Sequence, residues 1–67
     1  MMKNIIPKLR KEKKMTQEEL ANEVGVTRQT ILSVETGKYI ASLPLAFKIA
    51  KYFNLRIEDI FYMEEDD

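Results

Sequence analysis

The 67-residue chain has no cysteine and no histidine, and only two glycines and two prolines. The absence of cysteine excludes disulfides and thiolate metal sites, and the absence of histidine excludes imidazole ligands and histidine-based catalysis. Carboxylates are plentiful, yet no nucleophile–base pair or metal-ligand cluster accompanies them, so no enzyme, cofactor or metal centre is expected. A cysteine-free chain also points to the cytoplasm. Long apolar runs are missing too. The longest, Tyr39 to Phe47, is interrupted by Ser42 and Pro44 and falls far short of the ~20 residues of a membrane span. Met1-Met2-Lys3 does not open a signal peptide, so no membrane partner is expected.

Net charge is zero, which by itself argues against a polyanionic partner. The distribution argues the other way. Residues 1–40 carry a net +3 and residues 41–67 a net −3, so one end of the molecule can meet phosphate. A mixed, merely solvated surface would show the same composition. The length fits one domain, expected over 1–63, followed by an acidic tail at 64–67 that stays disordered and turns the opposite face toward a polyanion. A domain this small buries only about 60% of the surface its unfolded chain exposes, so association would help it.

What is present is organised around residues 16–37. Thr16 is a good N-cap, and Glu19 three residues on completes a capping box, so a helix starts at Gln17. Leu20, Ala21 and Val24 make its apolar stripe, and Gly25 supplies the backbone freedom of a sharp turn. Thr27 then caps a second helix, expected over 28–36, with Gly37 in the left-handed position beyond it. Ile31 and Val34 of that helix point inward with Val26. Arg28, Gln29, Leu32 and Ser33 share its opposite side. Arg and Gln at the N-terminal end of an exposed helix can make paired hydrogen bonds to guanine and adenine edges in a major groove. Ser33 can join them, and Leu32 can touch a thymine methyl or simply lie exposed.

This stretch resembles the helix-turn-helix of the lambdoid phage repressor and Cro family, also called Xre-type regulators. The family pattern T-Q-x-x-L-A, G-V-[ST]-x-x-[ST]-I and E-x-G is present as Thr16-Gln17, Leu20-Ala21, Gly25-Val26-Thr27, Thr30-Ile31 and Glu35-x-Gly37. The resemblance spans nearly the whole chain. It implies an all-α fold, a compact five-helix bundle that binds double-stranded DNA sequence-specifically and regulates transcription, as a small repressor or autoregulator. It also implies an ion pair between Arg10 and Glu35, and phosphate contacts from Gln17, Thr27 and the loop carrying Lys38 and Tyr39. Gln17 suits that role physically, because the first residue after a cap has a free backbone N–H. A homodimer would set two reading helices about 34 Å apart and recognise an inverted-repeat operator. With no room seen for an inducer pocket or second domain, control by concentration or by a protein partner is expected.

The remaining elements follow from spacing. Asn4 is expected to cap a first helix that runs properly from Pro7, with Ile6 and Leu9 inward and Lys13-Lys14 closing it. Leu43, Ala46, Ile49, Ala50 and Phe53 predict a fourth helix, with Pro44 in its first turn and Asn54 as a left-handed C-cap. Leu55, Ile57, Ile60 and Phe61 mark a fifth. The resemblant family favours Ser or Thr where Arg56 stands, so this helix is expected to be the loosest. Phe61 suffices to close the core, which leaves Tyr62 and Met63 as a possible dimer contact.

Two other classes fit the same residues. An antitoxin would use the motif on its own promoter and bind a toxin through its free surface. A protein-interaction module would keep the fold without reading DNA. In every case the chain is expected in the cytoplasm of a prokaryotic cell or of a phage-infected host.

Overall fold

Apolar residues at helical spacing give five helices in the computed structural model, which describes residues 2–64. They are α1 (Ile6–Glu12), α2 (Gln17–Val24), α3 (Arg28–Glu35), α4 (Leu43–Phe53) and α5 (Ile57–Ile60). Two short strands, β1 (Met2–Asn4) and β2 (Phe61–Met63), pair antiparallel and join the ends of the domain. One core holds the helices together, built on the fully buried Ile6, Leu20, Ile31, Ile49 and Ile60. No polar or charged residue among those described lies in it. No described helix is long and apolar enough to cross a membrane.

Helices α1 to α4 all end in the same way. A single left-handed residue follows each, at Lys14, Gly25, Gly37 and Asn54, with φ between 55° and 82°. The next residue's N–H then reaches back five positions: Met15 to Arg10, Val26 to Ala21, Lys38 to Ser33 and Leu55 to Ala50, all at 2.9 to 3.0 Å. These bonds satisfy carbonyls that the helix ends would otherwise leave unpaired. Three of the four positions carry the residue types suited to the conformation. Lys14 does not, and it is the ending that sequence alone does not reveal.

The start of α1 departs from expectation. Ile5, not Asn4, is the cap position and offers no side-chain bond, and the helix begins at Ile6 with Pro7 in its first turn. Asn4 lies in β1. Its Oδ1 accepts from the Ile6 N–H at 3.0 Å, and its Nδ2 donates to the carbonyl oxygens of Val34 and Glu35 at 3.1 and 3.4 Å. Asn4 thus binds the end of α3 to the beginning of α1. Ser42 does cap α4, accepting from the Leu45 N–H at 3.3 Å.

The C-terminal end also differs. Phe61 is extended rather than helical, and it opens β2. The register pairs Met2 with Met63, Lys3 with Tyr62 and Asn4 with Phe61. Alternation along a strand therefore puts Met2, Asn4, Phe61 and Met63 on one face and Lys3 and Tyr62 on the other. Phe61 packs against the core. Arg56 is held at the start of α5 from the opposite direction to an ordinary cap. The Asp59 carboxylate accepts from the Arg56 N–H at 3.0 Å and from its guanidinium at 3.3 Å. The side-chain bond to Arg56, then the backbone one, holds the Asp59 carboxyl below its ordinary value. Of the acidic tail expected at 64–67, only Glu64 falls within the described residues.

Candidate nucleic-acid interface

Helices α2 and α3 and the turn between them are shaped by local bonds. Thr16 Oγ1 accepts from the Glu19 N–H at 3.0 Å, while Glu19 Oε1 accepts from the Thr16 N–H at 2.8 Å. This reciprocal box fixes where α2 begins. Gly25 then turns the chain at φ 75°. Thr27 Oγ1 accepts from the Thr30 N–H at 3.3 Å and lies 3.1 Å from the Thr30 hydroxyl, so α3 starts one residue later, at Arg28. The helix ends at Glu35, one residue short of the expected 36: Thr36 is its C-cap, and the chain turns away at Gly37, φ 82°.

Burial divides α3 into two faces. Ile31 and Val34 lie in the core and Val26 packs against it. Arg28 and Gln29 are exposed, whereas Leu32 and Ser33 are half-buried. Gln29 Nε2 donates to Ser33 Oγ at 3.4 Å, a contact one helical turn long that biases the amide toward the outer face. Tyr39 closes the far side of an open depression lined by Gln29, Thr30 and Ser33. Arg28 belongs to a different recess, which it shares with Arg10, Thr16 and Gln17. The structure thus brings Gln29, Ser33 and Tyr39 together, and separately Arg28 and Gln17.

Behind these surfaces lies one charged junction. Glu35 accepts from Arg10 Nε at 2.6 Å, from Arg10 Nη2 at 3.0 Å and from Gln17 Nε2 at 3.1 Å. Arg10 Nη1 also donates to the Met15 carbonyl at 3.0 Å. The Arg10 and Glu35 side chains are only 15% and 5% exposed, so the pair ties α1, the start of α2 and the end of α3 to one another. Gln17 was expected to face phosphate. Its amide is instead oriented by Glu35, which leaves its backbone N–H and its remaining amide atoms for an outside group. Lys38 is exposed after α3, and its N–H and that of Tyr39 both donate to the Ser33 carbonyl, at 3.0 and 3.2 Å. The sequence marked Asn4 only as a helix cap; its two bonds to the last carbonyls of α3 come from a strand too short to recognise.

Tyr62 and Met63 are 49% and 60% exposed, but they lie on opposite faces of β2. Ile40 and Leu43 are more exposed than either, at 67% and 64%, and Phe47 at 58% lies between them.

Comparison with known proteins agrees with the geometry. A helix-turn-helix family profile matches residues 6–60. An uncharacterized helix-turn-helix-type transcriptional regulator of Methanocaldococcus jannaschii is 54% identical over 66 residues, covering 98% of this chain and 100% of the relative. A Vibrio cholerae protein, the cryptic phage CTXphi transcriptional repressor RstR, is 35% identical over 60 residues, 90% of this chain and 54% of that protein. Among solved structures, a putative DNA-binding protein from Bacteroides fragilis superposes with a TM-score of 0.78 at 29% identity, covering 92% of this chain and 100% of that one. The chain belongs to the helix-turn-helix family of Xre, Cro and C1-type transcriptional regulators.

Proposed function

We propose that the chain, as a DNA-binding regulator of transcription, reads duplex DNA in the major groove with the outer face of α3 and represses by occupying its operator. The observation that carries this reading is the exposed Arg28 and Gln29 at the N-terminal end of α3. From that position two forked side chains reach base edges, Arg for guanine and Gln for adenine. Ser33 and Leu32 extend the same face toward a base edge and a thymine methyl. Gln17, Thr27, Lys38 and Tyr39 flank it and meet phosphates, with the junction at Glu35 keeping the two helices in register. The Vibrio cholerae relative, a phage transcriptional repressor, supports the repressor reading. The site of action is the cytoplasm, where prokaryotic and infecting-phage DNA lies. Two copies on an inverted repeat would present two reading helices one DNA turn apart.

Selection of binding sites from a random duplex pool, by the purified chain at near-physiological salt, tests this directly. The expected result is an enriched inverted repeat with half-site centres about 10 base pairs apart. No enrichment of any sequence would overturn the reading.

A further inference from the structure

We infer that Asn4 is a positioning residue for DNA binding: from β1 it holds the exit of α3, and with it the loop of Lys38 and Tyr39, where that loop can meet phosphate. The inference rests on the reading of that loop as a phosphate contact and adds to it a half-buried residue near the other end of the chain. The last carbonyls of a helix have no intrahelical partner and must be satisfied from outside. In α3 the first two of them are served locally. The Thr36 N–H and hydroxyl both donate to the Leu32 carbonyl at 3.0 Å, and the Lys38 and Tyr39 N–H groups donate to that of Ser33. The Val34 carbonyl accepts from the Gly37 N–H at 3.2 Å and from Asn4 Nδ2 at 3.1 Å. The Glu35 carbonyl, the last of the helix, has no donor among the described residues but Asn4, at 3.4 Å.

A second contact lies beside the first. The Met2 carbonyl oxygen is 3.6 Å from where a Cβ on Gly37 would stand, and Gly37 is the left-handed residue at which the chain leaves α3. β1 therefore runs alongside the whole exit, from Val34 to Gly37. Asn4 can hold it only because its own backbone is held. It stands opposite Phe61 in the strand pair, and the next residue's N–H, that of Ile5, donates to the Ile60 carbonyl at 3.0 Å. Ile60 is fully buried and Phe61 packs against the core. The other end of the Asn4 amide is occupied by the Ile6 N–H, so the side chain is fixed in both directions.

Glu35 is thereby gripped twice, its carboxylate by Arg10 and Gln17 and its carbonyl by Asn4. The two grips do different things. The carboxylate bonds set where α3 lies on α1 and α2, but they do not constrain the chain beyond the helix. Asn4 does, because it holds the peptide groups from which the loop departs. Ser33 acts from the outer face of α3, and Lys38 and Tyr39 act from the loop. They serve one duplex together only when helix and loop keep a fixed mutual orientation. A loop ordered in advance also loses less freedom on binding, which leaves more of its contact energy as affinity.

The test is Asn4→Asp in the full chain, alone and combined with Lys38→Ala, at a temperature well below every melting midpoint. Aspartate keeps an oxygen for the Ile6 N–H and suits the start of α1, but a carboxylate cannot donate to the carbonyls of Val34 and Glu35. A residue that served α1 alone would be rescued by it. Without DNA, amide hydrogen exchange at Lys38 and Tyr39 is expected to rise by about three- to tenfold. The Val26 and Leu55 amides, which close α2 and α4 by the same kind of bond, should keep the parent's rates. On the operator obtained by site selection, Asn4→Asp is expected to bind about two- to tenfold more weakly, and Lys38→Ala to cost a smaller factor in that background than in the parent. Should Asn4→Asp not fold, Asn4→Ala, which lacks the same donor, takes its place. Unchanged exchange at Lys38 and Tyr39, an equal rise at Val26 and Leu55, or the same factor for Lys38→Ala in both backgrounds would overturn the inference. Failure of the underlying reading looks different: the loop amides would respond as expected, yet Lys38→Ala would leave the parent's affinity for every duplex unchanged.

Discussion

Arg10 and Glu35, far apart in sequence, meet through two hydrogen bonds of 2.6 and 3.0 Å, nearly out of contact with water. A carboxylate in the last turn of a helix opposes the helix dipole and needs compensation, which the guanidinium and the Gln17 amide supply. Taking Glu35 away strands a buried charge. Glu35→Ala is therefore expected to destabilise the domain by about 3–5 kcal/mol. Urea unfolding should show this against Glu23→Ala, an exposed control on α2. Replacing both partners by apolar side chains of similar volume should cost far less, because no charge is then left unpaired. Equal, small losses from Glu35→Ala and Glu23→Ala would mean that the pair contributes little to stability.

Base contacts and phosphate contacts separate by their salt and sequence dependence. Gln29→Ala is expected to lose about 1–3 kcal/mol on the preferred operator and to relax the preference at one base pair. Lys38→Ala should weaken binding to all sequences alike and reduce the salt slope by about one. Arg28 is the informative case. It shares its recess with Gln17 rather than with Gln29, whereas the proposed reading gives it, at the start of α3, to bases. Fluorescence anisotropy on single-base operator variants distinguishes the two roles. A uniform loss with Arg28→Ala would move this residue to the phosphates.

The motif was legible because its signals are local. Thr16 with Glu19, Thr27, Gly25, Gly37 and Asn54 each act within a few residues of themselves, and each stands in the structure where its chemistry places it. The two faces of α3 followed from helical spacing. What could not be read depends on pairing across the chain. Strands of three residues show no alternation long enough to recognise, so β1, β2 and the role of Asn4 emerged only from the fold. Phe61 looked helical for the same reason, since an apolar residue after Ile60 fits either period. The exposure of Leu43 was hidden because it matches the helical stripe as well as the buried Ala46, Ile49, Ala50 and Phe53 do. At α5, Arg56 stood as a poor cap beside the Ser or Thr that the resemblance favours, whereas the acceptor that closes this helix start is Asp59, three residues on.

That arrangement at α5 predicts a pH dependence with a definite sign. The Arg56 guanidinium and N–H hold the Asp59 carboxyl below its ordinary value. A carboxylate with a lowered folded-state value stabilises the fold above its unfolded value, and that contribution disappears as pH falls through the folded one. Acidification through the lower carboxylate range should therefore loosen the start of α5 while the capping bonds of α3, made by hydroxyls, persist. Carbon-detected titration of Asp59 by nuclear magnetic resonance, followed alongside the Ile60 methyl signals, checks this. In Asp59→Asn the Ile60 signals should no longer move with pH over that range.

The four matched helix endings predict that two substitutions at equivalent positions act with opposite signs. At Gly25 a Cβ would meet nothing within 4 Å, so any cost of Gly25→Ala arises from the backbone alone. An L-residue held at φ 75° loses about 1–2 kcal/mol relative to glycine, part of which is recovered because the unfolded chain is less flexible. Lys14 already bears that strain at φ 55°. Its side chain is exposed, and the ending it makes depends on its backbone and on the Met15 N–H. Lys14→Gly should relieve the left-handed penalty while losing about 0.5–1 kcal/mol to the greater entropy of the unfolded chain and a little favourable charge at the end of α1. A net gain of about 0.5 kcal/mol is expected, which in a domain of this size raises the melting temperature by roughly 2–4 °C. Gly25→Ala should lower it by a comparable or larger amount. Thermal melts of the two variants beside the parent decide the matter: a loss at Lys14→Gly would mean that the lysine side chain itself holds the end of α1, and the shared backbone motif would not be what closes that helix.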